Sequence, residues 1–337
     1  MEYKNEQVGE QSIQFGKKVG ILNYASIAGK KEGEGPLGKL FDEVIEDPYI
    51  FGESWEEGEG NLQKRAASRV LEKSHLKSEH IRYVFSGDLL NQLIATSFGL
   101  KEFNIPIFGL YGACSTMGEA LSLGAMTIAG GYADYVMSLA SSHFASAEKN
   151  FRFPLEYGNQ RPFSATWTVT GSGAVILSRE KGKVGITGIT TGKITDFGIS
   201  DSMNMGAAMA PAAANVIYAN LKDFGRKPED YDKIITGDLG YIGQTILIDL
   251  LKGKGYDITN VHMDCGIEVF YNEHQDTHAG GSGCGCSAIV LCSKILRQME
   301  KGIWKRILFV PTGALLSTVS YNEGMTIPGI AHGVVIE

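Results

Sequence analysis

Cys114 is the side chain in this sequence best placed for covalent chemistry. It follows a short apolar run, PIFGLYG (106–112), and precedes a segment from Met117 to Ile128 that is apolar on nearly every side. That order reads as a buried strand, a tight turn and an enclosed helix. A thiol on the first turn of such a helix faces unpaired N–H groups and the positive end of the helix dipole. Both favour thiolate and an anionic oxygen beside it. A free cysteine is also a small hydrophobe that packs well in a core, and position alone leaves the two roles open. The chain has five cysteines, an odd number. Cys284 and Cys286 stand closer than the CxxC of zinc or redox sites, so a reduced compartment without a zinc centre is expected.

Other side chains fall in patterns that invite a role. His143 ends the run YVMSLASSH, where a strand delivers it to the rim of any pocket, and His278 and Ser282 lie in the small-residue loop THAGGSG (277–283). Arg161, in NQRPFSATW, and Lys193 are candidate charge partners, although an arginine so placed is as readily a surface ion pair. Asp88 and Asp238 occupy two GDL triplets, where carboxylates satisfy turn amides as a rule. GEGPLGKL (33–40) fits the spacing of a phosphate loop but puts Leu40 where magnesium needs a hydroxyl. As a dinucleotide fingerprint it is broken by Pro36. GESWEEGEGN (52–61) reads as an exposed acidic loop carrying Trp55.

The elements that must hold these residues come in duplicate. VGI recurs at 19–21 and 184–186, GDL at 87–89 and 237–239, and GACSTMGEAL (112–121) has a looser echo in SGCGCSAIVL (282–291). Apolar strand-length runs alternate with helix-length runs in both parts: YVFSG and PIFGLYG, then YDKIITG, ITNVHMD and RILFVPTG. Such alternation implies mostly parallel sheets with helices between layers. The expected fold is an α/β/α/β/α five-layer sandwich from two duplicated halves, residues 1–180 and 181–337. At 337 residues with 43% hydrophobic and 20% charged side chains, the chain can bury the cores this needs. A net charge of -7 and the lack of an arginine-rich stretch argue against nucleic acid as a partner. The polar start MEYKNEQVGEQS is no signal peptide. The uncharged run 202–221 is too rich in asparagine and alanine for hydrocarbon and reads as a loop followed by a buried helix.

The stretch GLYGACSTMGEALSLGAMTIAGGYADYVMSLASS resembles the nucleophile segment of the thiolase and ketoacyl-synthase superfamily. TGSGAVILSRE (170–180) resembles the strand that closes that superfamily's first half, and THAGGSGCGCSAIVL its histidine loop, one residue short. The resemblance implies the duplicated five-layer fold, with Cys114 at the nucleophile position. It also exposes departures. Condensing enzymes flank the cysteine with histidine and asparagine, or with histidine and a second cysteine, to polarise the thioester and move protons. Here Gly237 or Asp238 stands at the first histidine's place, Ser282 is nearest the asparagine's, and Pro311 or Thr312 replaces the second cysteine; His278 alone matches. The reading is of a pocket kept and a reaction lost, with Cys114 vestigial and no catalytic residue. The alternative is an active Cys114-dependent acyltransferase or condensing enzyme.

Closer still, GPLGKLFD, SGDLLNQ, SSHFASAEKNFRFPLEYG, TWTVTGSGA and ITDFGISDSMNMGAAMAPAA resemble a sporulation branch of that superfamily. Its members bind dipicolinic acid and serve membrane proteins that move this acid into the developing spore. The resemblance implies a dipicolinate site drawn from Cys114, Ser115, His143, Arg161, Asp238, His278 and Ser282. No resident metal or cofactor is expected, and calcium enters only together with dipicolinate, since Asp238 alone is far short of a calcium ligand set. Implied partners are integral membrane subunits of a spore transport complex, through which the chain would lie peripheral to the inner membrane, and a second copy of itself paired through the first-half sheet.

Overall fold

The computed structural model describes residues 4–151 and 160–337. The first three residues of the polar N-terminal stretch, and the end of the segment 141–158 quoted above, lie outside them.

The alternating runs fold into two sheets of the same design. In the first half, strands β1 (Ser12–Gly29), β2 (Tyr83–Gly87), β3 (Ile107–Gly109), β4 (Tyr135–Ser142) and β5 (Gly171–Ser178) lie in the order β3-β2-β4-β5-β1. In the second, β6 (Val184–Thr191), β7 (Lys233–Thr236), β8 (His262–Asp264), β9 (Ile307–Val310) and β10 (Gly329–Ile336) repeat it as β8-β7-β9-β10-β6. Within each half the central strands are parallel, and the closing strand, β5 or β10, runs antiparallel to its neighbours. The opening strands β1 and β6 pair antiparallel, Gly20 opposite Gly185, and so join the halves.

Side-chain alternation along the strands then divides the interior into three cores. Val175 and Leu177 of β5 and Ile307 and Phe309 of β9 face a middle core. It is filled by helix α3 (Thr116–Ala129) and by the helical run α7, which starts at Cys284–Val290 and continues through a π-turn to Glu300. Ala174 and Ile176 face outward against α1 (Trp55–Ser74), with α2 (Ile94–Leu100) and α4 (Phe144–Phe151) packed on it. Leu308 and Val310 face α5 (Met205–Asp223) and α6 (Gly240–Lys252) on the opposite outside. Helix layers therefore alternate with sheets as α/β/α/β/α. α5 follows the loop expected before it.

Two expectations fail. PIFGLYG does hold a strand, but β3 is the exposed edge of its sheet rather than a buried strand, with Ile107 and Phe108 open to solvent. The acidic stretch GESWEEGEGN is not a loop, for α1 begins within it. Ser54 caps the helix by accepting from the Glu57 amide, and the Glu57 carboxylate accepts in return from the Glu53 amide. Close packing requires glycine at one position within it and at one on α2. A Cβ on Gly58 would lie 2.4 Å from the Tyr49 carbonyl oxygen, and one on Gly99 of α2 would lie 2.4 Å from that of Gly60. Trp55 stacks on Tyr49 with ring centroids 3.9 Å apart.

Candidate ligand-binding site

β3 ends at Gly109, and residues 110–112 turn the chain into α3. Ala113 takes a left-handed φ of 49°, an arrangement that costs an L-residue roughly 1 kcal/mol. Cys114 and Ser115 complete one tight turn before the helix proper. The short strand Thr312–Ala314 lies against this turn. Gly313 makes the approach possible, since a Cβ there would stand 2.6 Å from the Gly112 carbonyl oxygen. From the other side the pair Gly281–Ser282 and Trp167–Thr168, a small parallel ladder, brings Ser282 up to the thiol. Cys114 Sγ lies 3.9 Å from Ser282 Oγ. Three segments far apart in sequence thus meet at one sulfur.

Behind that sulfur sits Asp238, essentially without solvent exposure. Its carboxylate accepts from Ser282 Oγ at 2.6 Å and the Gly283 amide at 3.2 Å through one oxygen, and from Thr312 Oγ1 at 2.6 Å through the other. Burial raises the Asp238 pKa, and these donors partly offset that rise. Ser282 Oγ thus stands between the Cys114 thiol and this carboxylate. Burial first, then the negative charge of Asp238, push the thiol well above its ordinary range. The helix end that favours a thiolate is present, but burial, and after it the neighbouring carboxylate, work against it and favour the thiol. The two GDL aspartates also differ. Asp88 does accept from the amides of Leu90 and Thr96 as a turn residue should. For Asp238 that job passes to Asp264, which accepts from the Leu239 and Gly240 amides and leaves Asp238 to the thiol site.

A cavity of about 260 Å³ opens over Cys114 and Ser282. Leu89, Tyr111, Met205, Leu315 and Leu316 make its apolar walls, and Glu148, Thr166, Thr168, Ser317 and Ser320 add oxygens. Thr168 donates to Glu148 at 2.8 Å. Among the described residues no lysine, arginine or histidine lines it.

Of the seven residues expected at the site, Cys114 and Ser282 line this cavity and Asp238 stands directly behind them. Four are elsewhere. Ser115 is buried and turns its hydroxyl to the Gly112 carbonyl. His143 is locked between backbone groups: Nε2 meets the Pro48 carbonyl at 2.9 Å and Nδ1 accepts from the Ala145 amide, so neither nitrogen is left for a ligand. His278 donates Nδ1–H to the Pro162 carbonyl and meets Asp276 at 2.9 Å. Arg161 donates to the Asp276 carbonyl at 2.6 Å and stacks its guanidinium on Trp167. His278 and Arg161 thus tie the 160–162 and 276–278 segments together, a structural use of polar groups that a motif match does not distinguish from a ligand contact. Lys193 pairs with Glu10 on the surface. Thr312, noted in sequence only as the second cysteine's replacement, proves to hold Asp238. Glu148 and Tyr111 carried no signal beyond lying near His143 and Cys114 in the chain.

Among the described residues no helix is long and apolar enough to cross a membrane, and no three His, Cys, Asp or Glu side chains gather where they could hold a metal ion. The family model described as Stage V sporulation protein AD matches residues 9–337. The chain is 43% identical over 329 residues to stage V sporulation protein AD of Bacillus subtilis (strain 168), covering 98% of this chain and 97% of that one. Among solved structures it is similar to 3-oxoacyl-[acyl-carrier-protein] synthase III from Aquifex aeolicus VF5, with a TM-score of 0.58 and 16% identity over 95% of this chain and 99% of that one. It is likewise similar to the corresponding synthase from Pseudomonas aeruginosa PAO1, with a TM-score of 0.55 and 12% identity over 95% and 98%. At such identities the likeness bears on the fold alone, and it agrees with the thiolase-like architecture expected from sequence.

Proposed function

The chain belongs to the stage V sporulation protein AD family, and on that premise we propose that it serves sporulation as a non-catalytic binder of dipicolinic acid. The observation that carries the reading is Asp238. Where the resembling condensing enzymes keep a histidine, Gly237 or Asp238 stands in this chain, and burial together with the Asp238 carboxylate pushes the Cys114 thiol pKa up. That removes both the nucleophile and the proton carrier, while the cavity above them persists.

The lining favours the calcium chelate over the bare acid. Dipicolinate alone is a dianion; the chelate is neutral and presents a hard cation to which the threonine and serine oxygens of the lining and the Glu148 carboxylate are suitable ligands. Calcium arrives with the ligand in this reading, and membrane attachment comes through integral subunits of a spore transport complex.

Calorimetric titration with dipicolinate, with and without equimolar calcium, tests the proposal. Saturable binding is expected, tighter with calcium and lost in Ala314→Phe, which fills the cavity. Glu148→Gln should narrow the difference between the two forms. The rival, a condensing enzyme working through Cys114, draws on the lining position of the thiol. Turnover of an acyl thioester by the purified chain would establish it and overturn the present reading.

A further inference from the structure

A second cavity, of about 460 Å³, shares no lining residue with the one over Cys114. Its walls are aromatic faces. Trp55 is braced by Tyr49, and Phe144 and Trp167 are stacked on one another at 3.9 Å. The His143 ring lies 5.6 Å from Trp55, its nitrogens tied to backbone. Four aromatic rings border one cleft.

Glu32 borders the same cavity and is 1% exposed. One carboxylate oxygen accepts from the Thr170 amide at 3.0 Å, while the other, Oε2, is shielded from solvent and accepts no hydrogen bond. An orphaned buried acceptor carries an uncompensated desolvation cost, which a donating ligand would recover. Gly29 lies beneath it, where a Cβ would be 2.9 Å from that same oxygen. The remaining charges at the rim are Lys30 and Lys31 against Glu34, Glu46 and Asp47. Lys30 is paired with Glu46, and Lys31 donates to the Gln275 carbonyl with its ammonium over Trp167. Arg161, whose guanidinium also lies on Trp167, is paired with Asp276, and the balance is acidic.

We propose that this cleft is a binding site for a flat aromatic ring bearing a cationic, hydrogen-bond-donating nitrogen, the ring lying among Trp55, His143, Phe144 and Trp167 and the nitrogen donating to Glu32 Oε2. A dianion such as dipicolinate is excluded by the rim charge, so the site is separate from the proposed function and does not depend on it.

Burial raises the Glu32 pKa to about 7, against which Lys31 and the Thr170 amide pull it down. The cationic ring needs the ionised carboxylate, so affinity rises as pH climbs from 6 to 8; burial pushes the His143 pKa down, away from that step.

Benzamidine is a suitable probe, titrated into the full chain by calorimetry. Saturable binding is expected, stronger at pH 8 than at pH 6, weakened about tenfold or more by Glu32→Gln and by Trp55→Leu, and unchanged by Ala314→Phe. The two variants remove different contacts, so a folding defect in one leaves the other decisive, with thermal melting as the check on each. No saturable binding up to about 10 mM, or binding indifferent to both substitutions, overturns the proposal.

Discussion

The Cys114 thiol shows how one neighbour reverses what a helix terminus offers. A partial positive charge at the start of α3 is worth under about 1 kcal/mol to an anion at an exposed site. Desolvation of a buried thiolate beside the Asp238 carboxylate works the other way and is larger, hence the raised thiol pKa. Iodoacetamide should therefore alkylate Cys114 at pH 7.5 at least about tenfold more slowly than it does free glutathione, measured by peptide mass spectrometry, with the rate still rising above pH 9. Asp238→Asn removes the charge while keeping the size, so the rate at fixed pH should increase. The cost is about 1–3 kcal/mol, because an amide cannot accept from Ser282, Gly283 and Thr312 together. A wild-type rate matching glutathione's would remove the basis for calling Cys114 vestigial.

The contact between α1 and α2 separates two glycines that sequence treats alike. On Gly99 a methyl group would stand 2.4 Å from the Gly60 carbonyl oxygen and 3.1 Å from its Cα, which backbone cannot relieve. On Gly60 the nearest atom would be 3.4 Å away, an ordinary contact. Gly99→Ala should therefore destabilise by about 1–3 kcal/mol in urea denaturation. Gly60→Ala should be neutral or stabilising by up to about 1 kcal/mol through helix propensity. Equal effects would mean the helices are not in this register. The same pair shows where reading from sequence stops. The strands were legible from their β-branched runs and the duplication from its repeated triplets, because burial imposes both locally. That a run of glycine and glutamate is a helix depended on what packs against it, and no local pattern records a neighbouring helix's backbone. The site divides likewise. Cys114 and Asp238 announced themselves through strand-to-helix turns, whereas His143, Arg161 and His278 were drawn off by carbonyls and a carboxylate distant in the chain.

Across the whole molecule, buried ionisable groups make stability depend on pH in two opposing ways. Burial raises Glu32 to about 7 and Asp264 to about 6, and moves Glu59 in the same direction. Burial also lowers His262 and His332 to about 4. A carboxyl raised on folding contributes stability that is complete below the unfolded value near 4.3 and disappears as pH climbs through the folded one. A histidine lowered on folding contributes above its unfolded value near 6.5 and loses that contribution as pH falls toward 4. The two sets overlap from about pH 4.5 to 6.5, where the protons that the unfolded carboxyls have lost and the folded ones keep are offset by the protons that the unfolded imidazoles keep and the folded ones have lost. The wild-type profile is accordingly shallow there, and single-site differences resolve it. Between pH 5 and pH 8 the stability of Glu32→Gln relative to wild type should shift in the variant's favour by roughly 2 kcal/mol, since the amide carries no proton to lose. Between pH 7 and pH 5, His262→Gln should gain on wild type by a similar amount, with its sign opposite in pH. Urea denaturation at four pH values measures both. A Glu32→Gln difference that stays constant from pH 5 to pH 8 would mean the carboxyl is ionised in the folded protein at acid pH, which requires a donor at Oε2 and would mean that the second cavity is already satisfied from within the chain.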